Sequence, residues 1–403
     1  MTERRGLDRR ALAVLSGGHL ASDLCQGAVP ALLPFLIARR GYSYADAAAL
    51  VLAATIGSAL LQPAFGLWAD RAATPWLMPA GLALGGAGIA LSGVAPSYEL
   101  TFAAVALSGL GVAAFHPEAA RFANYSSGDR RATGMSLFAV GGNAGFALGP
   151  VLTTPFVLLL GLEGTLALAV LPLAAVLVLV AELPRLGALR AEPARSRPAR
   201  ARTADAWGPF ARLGIFVSLR SSVYFGLQAF VLVWYAEQLD ASEAAGNAAL
   251  TVMLVSGAVG TLLGGRLADR IGRRPVLIGS TVLLMPLLAA FLASQAVAAT
   301  VLLAAVGFVT IANFSVTVVM GQEYLPARLG IASGVTLGLA IGVGGLAAAA
   351  LGQLADHAGL PATMAVIAAL PAPALALALT LPRDPPSSRD AACPSARPVR
   401  VST

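Results

Sequence analysis

The chain is poor in charge and contains no lysine. Charged residues make up 12% of its 403 residues and hydrophobic residues 57%, and the mean hydropathy is +0.78. A soluble protein carries about a quarter charged residues. Long apolar runs with few charges indicate membrane spans instead. The composition therefore excludes an ordinary soluble protein and predicts an all-α integral membrane protein.

Several functional motifs are also missing from the sequence. It has no G-x-x-x-x-G-K-[ST] loop, so ATP does not drive the protein. It has no nucleophile elbow and no cysteine–histidine cluster. The two cysteines, Cys25 in an apolar run and Cys393 in a polar tail, imply no disulfide framework. We therefore predict no enzyme activity, no cofactor and no metal site.

Apolar runs between polar breaks predict twelve transmembrane helices of about twenty residues or more. The predicted spans are 11–38, 44–68, 76–96, 99–123, 132–160, 163–182, 209–236, 243–265, 275–295, 297–324, 329–356 and 360–382. A proline- and arginine-rich stretch separates the sixth span from the seventh. We predict four segments: an N-terminal six-helix half (1–182), a basic cytoplasmic linker (183–208), a C-terminal six-helix half (209–382) and a disordered cytoplasmic tail (383–403).

The two halves share a repeat. The basic turn GRLADRIGRR at 265–274 has a weaker copy, GLWADR, that begins 199 positions earlier at Gly66. Three glycines of span five recur 200 positions later in span eleven, namely Gly134, Gly142 and Gly145. The repeat predicts two pseudo-symmetric halves around a central cavity, which is an architecture of transporters.

The net charge of +7 comes from arginines that lie mostly on one side of the predicted spans. This distribution is the positive-inside signal, and it places both termini in the cytoplasm. It also argues against nucleic acid as a partner. Arg39 and Arg40 in the first outer loop and Arg220 within span seven are the exceptions.

The turn at 265–274 resembles the signature G-x-x-x-D-R-x-G-R-R, which the major facilitator superfamily carries between spans eight and nine. The earlier copy departs from it, because residues 72–75 replace its second half. The resemblance covers the whole chain and implies a membrane transporter.

A narrower resemblance is to the fosmidomycin-resistance branch, bacterial exporters thought to exchange drug for protons. It is carried by His19-x-x-x-Asp23, by QGAVPALLPF at 26–35 and by FHPE at 115–118. The glycine series at 141, 145 and 149 is similar to a motif associated with antiporters. The resemblance implies a monomeric, proton-coupled exporter in the bacterial inner membrane, with small molecules and protons as its partners besides the lipid bilayer.

His19 and Asp23 are four residues apart and share one face of a helix. Asp23 lies about 18 Å into span one at 1.5 Å per residue, near the middle of the bilayer. An ionisable side chain at this depth indicates function by default. The alternative is a structural pair that fixes span one against a neighbour.

His116 in span four lies at a depth similar to that of His19. In the superfamily, spans one and four line the central cavity. The resemblance therefore implies one proton-coupling cluster, formed by His19, Asp23, His116 and Glu118. The alternative for Glu118 is a structural ion pair with Arg121, three residues later on the same face.

Arg220 stands alone in span seven, at a position similar to that of Asp23 in span one. A guanidinium at this depth needs a partner or an anionic substrate. We predict that it binds the negative group of a substrate or pairs with Asp23; snorkelling to an interface is the alternative. The predicted substrate site also contains Gln26, Asn143 and Tyr224.

Asp70 and Asp269 lie at the predicted cytoplasmic ends of spans two and eight. Either carboxylate can accept hydrogen bonds from the N-terminus of span five or eleven, where backbone N–H groups are unpaired. We predict a cytoplasmic gate built from Asp70, Arg71, Asp269, Arg270, Arg273, Arg131, Arg328 and Glu323. The alternative is that these charges only set the topology.

Two other functions remain open. One is a proton symporter that imports a small organic acid or sugar with the same carboxylates. The other is a membrane sensor that has lost transport, for which the incomplete first basic turn is the only support.

Overall fold

The computed structural model describes residues 6–42, 44–72, 74–191 and 205–382. Within these ranges the chain is helical and contains no strand. A 3-10 helix at Gly161–Ala169 joins the last two helices before residue 192. These first helices are α1 (Arg9–Arg40), α2 (Tyr44–Arg71), α3 (Leu77–Val94), α4 (Tyr98–Ser126), α5 (Arg131–Leu160) and α6 (Val170–Ala191).

The chain from residue 205 onward is also helical, with more interruptions. Asn313 separates two helices, and a π-helical turn at Gly334–Leu339 separates two more. The helices are α7 (Trp207–Glu237), α8 (Glu243–Ile271), α9 (Arg273–Leu292), α10 (Ala296–Ala312), α11 (Phe314–Tyr324), α12 (Leu329–Ser333), α13 (Ala340–Ala358), α14 (Leu360–Ala369) and α15 (Pro371–Thr380).

Ten stretches of the described chain are long and apolar enough to cross a membrane. One of them, Arg131–Leu189, contains α5 and all of α6 except its last two residues. The predicted all-α membrane fold is confirmed, and the number of twelve spans stays a prediction.

The predicted boundary at residue 182 lies inside α6, which continues to Ala191. The extension stays helical because it packs on α1. Leu186 is fully buried in the hydrophobic cluster that contains Leu12, and the Arg185 guanidinium donates to the Asp8 carboxylate at 2.9 Å. The rest of the predicted linker up to residue 204, and the predicted tail 383–403, lie outside the described residues.

Glycines allow α1 and α5 to approach each other at backbone distance. A methyl group on Gly141 or Gly145 would collide with the backbone of Ser16 or Leu20 on α1, and one on Gly142 would collide with the side chains of His19 and Asp23. Small residues at helix contacts serve this purpose in membrane proteins. The glycine series therefore holds α5 against the face of α1 that carries both ionisable side chains.

Candidate functional site

Three ionisable side chains from α1 and α4 meet at a single point. His19 Nε2 lies 3.3 Å from Asp23 Oδ2, and His116 Nε2 lies 3.1 Å from Asp23 Oδ1. The two histidine Nε2 atoms are themselves 3.1 Å apart. We call these three residues the His–Asp–His triad. The structure thus brings together three of the four residues predicted to form one cluster.

The opposite nitrogens of the two rings fix the protonation pattern of the triad. His19 Nδ1 lies 2.8 Å from the Phe138 carbonyl oxygen, and His116 Nδ1 lies 2.8 Å from that of Val112. A carbonyl oxygen can only accept a hydrogen bond, so both Nδ1 atoms carry a hydrogen. In a neutral imidazole the Nε2 atom then presents a lone pair. Both lone pairs point at Asp23 and at each other.

Three acceptors therefore converge when both histidines are neutral and Asp23 is ionised. They are largely shielded from solvent, since the side chains of His19, His116 and Asp23 are 6%, 7% and 15% exposed. Buried acceptors without a donor cost about 1–3 kcal/mol each, and low local polarity increases the cost. The triad is therefore a site that takes up positive charge, as protons on Nε2 or as a cation between the three side chains.

Aromatic packing holds the triad in place. The His19 ring stacks on Phe138 with centroids 4.1 Å apart, and it meets the His116 ring edge-on at 4.9 Å. Phe138 is fully buried on α5. Its ring orients His19 while its carbonyl oxygen fixes the tautomer. The sequence did not identify Phe138, because a phenylalanine in an apolar run carries no signal of its own.

Glu118 pairs with Arg121, as in the alternative interpretation of the sequence. Its side chain is fully buried, and Arg121 Nη2 donates to Glu118 Oε1 at 2.6 Å. Arg121 Nη1 also donates to the Ala69 carbonyl oxygen at 2.5 Å, which ties α4 to α2. A carboxylate held this way serves as a structural anion and not as part of the triad.

Arg220 is a buried cation on α7, with 6% of its surface exposed. Its Nη1 donates to Asn313 Oδ1 at 3.2 Å, and its guanidinium lies 5.1 Å from the centroid of the Phe314 ring. Arg220 forms no ion pair with any described carboxylate, so the predicted pairing with Asp23 is absent. Its Nε atom is buried without a hydrogen-bond partner in the described structure. Among the described residues, no carboxylate thus compensates this positive charge.

Asn313 positions the Arg220 side chain. It ends α10, with only 2% of its surface exposed. Its Nδ2 donates to Ser280 Oγ on α9 at 2.9 Å, which leaves Oδ1 to accept from Arg220. Sequence reasoning missed this residue, although a lone asparagine in an apolar run is an available signal.

The other predicted substrate-binding residues differ in their placement. Tyr224 follows Arg220 by one helical turn and is close enough to interact with it electrostatically. Gln26 is partly exposed on α1, Asn143 is exposed on α5, and neither is hydrogen-bonded to Arg220. Two cavities of about 370 and 310 Å³, beside Arg39 and beside Phe210, do not include the triad or Arg220 in their walls.

The two predicted gate carboxylates each contact the start of a helix from the other half of the chain. Asp269 on α8 accepts from the Thr133 backbone N–H at 2.8 Å and from the Thr133 hydroxyl at 2.6 Å, at the start of α5. Asp70 on α2 accepts from the N–H groups of Gly330 and Ile331 at 2.7 and 3.0 Å, at the start of α12. We call these two arrangements the acid–helix contacts.

Ion pairs surround the acid–helix contacts. Glu323 pairs with two of the predicted gate arginines, Arg273 at 3.0 Å and Arg131 at 3.6 Å. Arg328 pairs with Asp205 at 3.0 Å. The remaining predicted gate residues, Arg71 and Arg270, are exposed.

Comparisons with known proteins agree with this architecture. The sequence model of the Major Facilitator Superfamily matches residues 15–234 and 216–398. A relative in Bacillus subtilis, the uncharacterized MFS-type transporter YfnC, is 34% identical over 93% of both chains. The fosmidomycin resistance protein of Escherichia coli is 31% identical, over 89% of this chain and 90% of that protein.

Solved structures show the same fold at low sequence identity. The fucose:proton symporter FucP of E. coli superposes with a TM-score of 0.70 at 14% identity, over 94% of this chain and 100% of that one. The human organic anion transporter TETRAN gives a TM-score of 0.69 at 17% identity, over 93% and 100% of the two chains. These likenesses concern the fold alone.

We predict that Glu118→Ala destabilises the protein strongly. The change removes the closer of the two carboxylates that pair with Arg121 and leaves only Asp70, at 3.7 Å. Breaking a buried ion pair in this way costs roughly 3–5 kcal/mol. Thermal unfolding in detergent measures the effect. Arg185→Ala is the matched control, because it removes a half-exposed arginine from its ion pair with Asp8 and should lower the unfolding temperature far less. Equal losses in the two variants would contradict the structural role of Glu118.

Proposed function

The chain belongs to the Major Facilitator Superfamily and is a multi-pass membrane transporter, and on that premise we propose that it exports small anionic molecules in exchange for protons. One observation carries the proposal. The helices hold a triad that requires positive charge and, separately, a buried guanidinium with no carboxylate partner in the part of the chain that the structure describes. A carrier that exchanges protons for an anionic substrate needs a site for each of them.

The triad supplies the proton side of the exchange. Its lone pairs converge from two fixed imidazoles and one carboxylate, so a proton between them gains several acceptors at once. The proton leaves when the acceptors are opened to solvent. Asp23 is the most exposed of the three side chains, at 15%, so protons pass between the triad and solvent at this residue.

Arg220 supplies the substrate side. Its guanidinium keeps one N–H group, Nε, buried and unused, and it can bind carboxylate or phosphonate oxygens in a bidentate way. The name of the E. coli relative states resistance to fosmidomycin, which is a phosphonate. We therefore propose an anionic antibiotic of the phosphonate type as the exported substrate.

The two sites border the same hydrophobic cluster. Phe314 lies beneath Arg220 and packs against the hydrophobic cluster that contains Phe138, whose ring lies against His19. Side chains of both halves therefore pack between the two sites. This contact supports an alternating-access cycle in which proton and anion use the carrier in turn.

We further propose that the acid–helix contacts close the cytoplasmic side while the substrate site faces outward. The arginine distribution supports this orientation, with both termini in the cytoplasm of a bacterial cell and the protein in its inner membrane. A charged carboxylate against helix N–H groups is stabilising, and it is lost when the two halves separate. The carrier works as a monomer without nucleic acid or cofactor.

Everted membrane vesicles with an acidic interior test the exchange. We predict that added fosmidomycin releases protons from vesicles with the wild-type protein, and that Asp23→Asn and Arg220→Ala each reduce the initial rate about tenfold or more. A hydrogen bond to a charged group is worth about 1.5–3 kcal/mol, which corresponds to this factor. Asp356→Asn is the control, because that carboxylate is exposed at a helix end away from both sites.

The same vesicles separate the rival functions. A symporter would accumulate a small organic acid or sugar under an inward proton gradient and would not release protons when a drug is added. A sensor without transport would keep its cellular phenotype after Asp23→Asn and Arg220→Ala. If a panel of anionic drugs never releases protons, the exchange proposal is wrong.

The gate leads to a separate prediction. Asp269→Asn removes the carboxylate charge at the start of α5, so the cytoplasmic side should open more often, by about tenfold for a loss near 1.4 kcal/mol. The readout is maleimide labelling from the cytoplasmic face of a cysteine placed at Ser136. That hydroxyl is buried between α5, α8 and α11, where it contacts the Thr261 carbonyl oxygen and the Ser315 hydroxyl at 2.8 Å each.

Asp129→Asn provides the matched control for the gate. Asp129 is an exposed carboxylate at the same end of the bundle, four residues before Thr133, and forms no part of the acid–helix contacts. Labelling should stay at the wild-type rate in this variant. Equal labelling rates in Asp269→Asn and the wild type would show that the contact does not hold the gate.

A further inference from the structure

We propose that the His–Asp–His triad is also a binding site for a divalent transition-metal ion such as Zn²⁺, and that the bound metal takes the place of the coupling proton. The proposal that the triad binds a metal depends only on the geometry of the triad. Only the statement that the metal blocks exchange rests on the proposed function. The sequence predicted no metal site, because the two histidines are far apart along the chain and no cysteine accompanies them.

The spacing of the three ligand atoms fits a small tetrahedral ion. The two Nε2 atoms are 3.1 Å apart, and the Asp23 oxygens lie 3.1 and 3.3 Å from them. Zinc bonds to histidine nitrogen and carboxylate oxygen are about 2.0–2.2 Å long, which places neighbouring tetrahedral ligands about 3.3 Å apart. An ion between these atoms therefore needs only small side-chain adjustments.

The groups behind the ligands match those of a metal centre. A histidine that binds a metal through one nitrogen usually donates its other N–H to a carbonyl or carboxylate, which fixes the tautomer. Both histidines do so here, His19 to Phe138 and His116 to Val112, at 2.8 Å in each case. Both Nε2 lone pairs are thus already directed inward. A metal would find its ligands oriented in advance.

The donor set selects the kind of metal. Two imidazoles and one carboxylate suit zinc and its neighbours, while Mg²⁺ and Ca²⁺ prefer oxygen ligands only. Cys25 is the nearest thiol in sequence, but its thiol donates to the Ala21 carbonyl oxygen and does not lie with the ligand atoms of the triad. Three protein ligands leave a fourth position for water or an anion. The exposed part of Asp23 gives the ion access.

Metal binding to the purified, full-length protein in detergent tests the site without any transport. Cobalt(II) serves as a spectroscopic probe, because a four-coordinate ion absorbs strongly in the visible range, and radioactive Zn²⁺ gives the stoichiometry and affinity. We expect one ion per chain, with a visible Co²⁺ band that Zn²⁺ removes and excess Mg²⁺ does not. His19→Gln and His116→Gln should each weaken binding at least tenfold.

His357→Gln is the matched control, since His357 is the third and last histidine of the chain. It is exposed, and its Nδ1 lies 2.7 Å from the Gln353 carbonyl oxygen of its own helix. This variant should bind Zn²⁺ like the wild type. Asp23→Asn provides a second ligand variant if a histidine variant does not fold, and size-exclusion chromatography monitors folding.

Two results would overturn the site. One is the absence of Zn²⁺ binding below millimolar concentration in the folded wild-type protein. The other is binding that survives the loss of either histidine or disappears in His357→Gln. In everted vesicles, Zn²⁺ should slow drug-dependent proton release in the wild type. Metal binding without any proton release by drugs would support the site and contradict the proposed function, so the two proposals fail separately.

Discussion

The structure depends on the convergence of three hydrogen-bond acceptors inside a helical membrane protein. The Asp23 carboxylate lies beside the Nε2 atoms of His19 and His116. The Nδ1 atoms of both rings already donate hydrogen bonds to backbone carbonyl oxygens. Such an arrangement is unfavourable without positive charge, because buried acceptors that lack a donor lose their hydration without replacement. The site therefore favours a bound cation, and this property is the physical basis of the proposed exchange.

Much of the surrounding structure serves to hold this site. The glycines of α5 bring its backbone against α1, and Gly142 leaves the space that the triad occupies. Phe138 uses both its ring and its carbonyl oxygen to fix His19. At one end of the bundle, Asp70 and Asp269 link helices of different halves through backbone N–H groups. Rigid packing around the triad and polar contacts at the end of the bundle fit a carrier whose halves separate as units.

The sequence predicted most of the elements and only part of the site. Helical spacing placed His19 and Asp23 on one face, and equal depth together with the family resemblance placed His116 beside them. The basic turns identified both gate carboxylates, because an acidic residue adds little to topology. The sequence named the starts of spans five and eleven as the contact points, but not which carboxylate contacts which start, since that depends on how the two halves dock.

The remaining differences have two causes. Glu118 pairs with Arg121 and not with the triad because it lies two residues after His116 on α4, and side chains two apart do not share a face of a helix. Arg220 donates a hydrogen bond to Asn313, a residue 93 positions away, and does not pair with Asp23. The extension of α6 beyond residue 182 depends on the burial of Leu186 against α1. The polar composition of residues 183–208 gives no sign of this burial. The last two differences depend on contacts between helices that a single sequence does not reveal.

Nitrogen-15 NMR of protein labelled only at histidine tests the converging acceptors most directly, because the chain has three histidines and His19→Gln and His116→Gln assign the signals. The structure predicts a hydrogen on Nδ1 of both His19 and His116 at every pH at which the fold is retained. It also predicts that protons are gained and lost only at Nε2. A neutral tautomer with hydrogen on Nε2 and a bare Nδ1 in either residue would contradict the convergence on which the proposed transport rests.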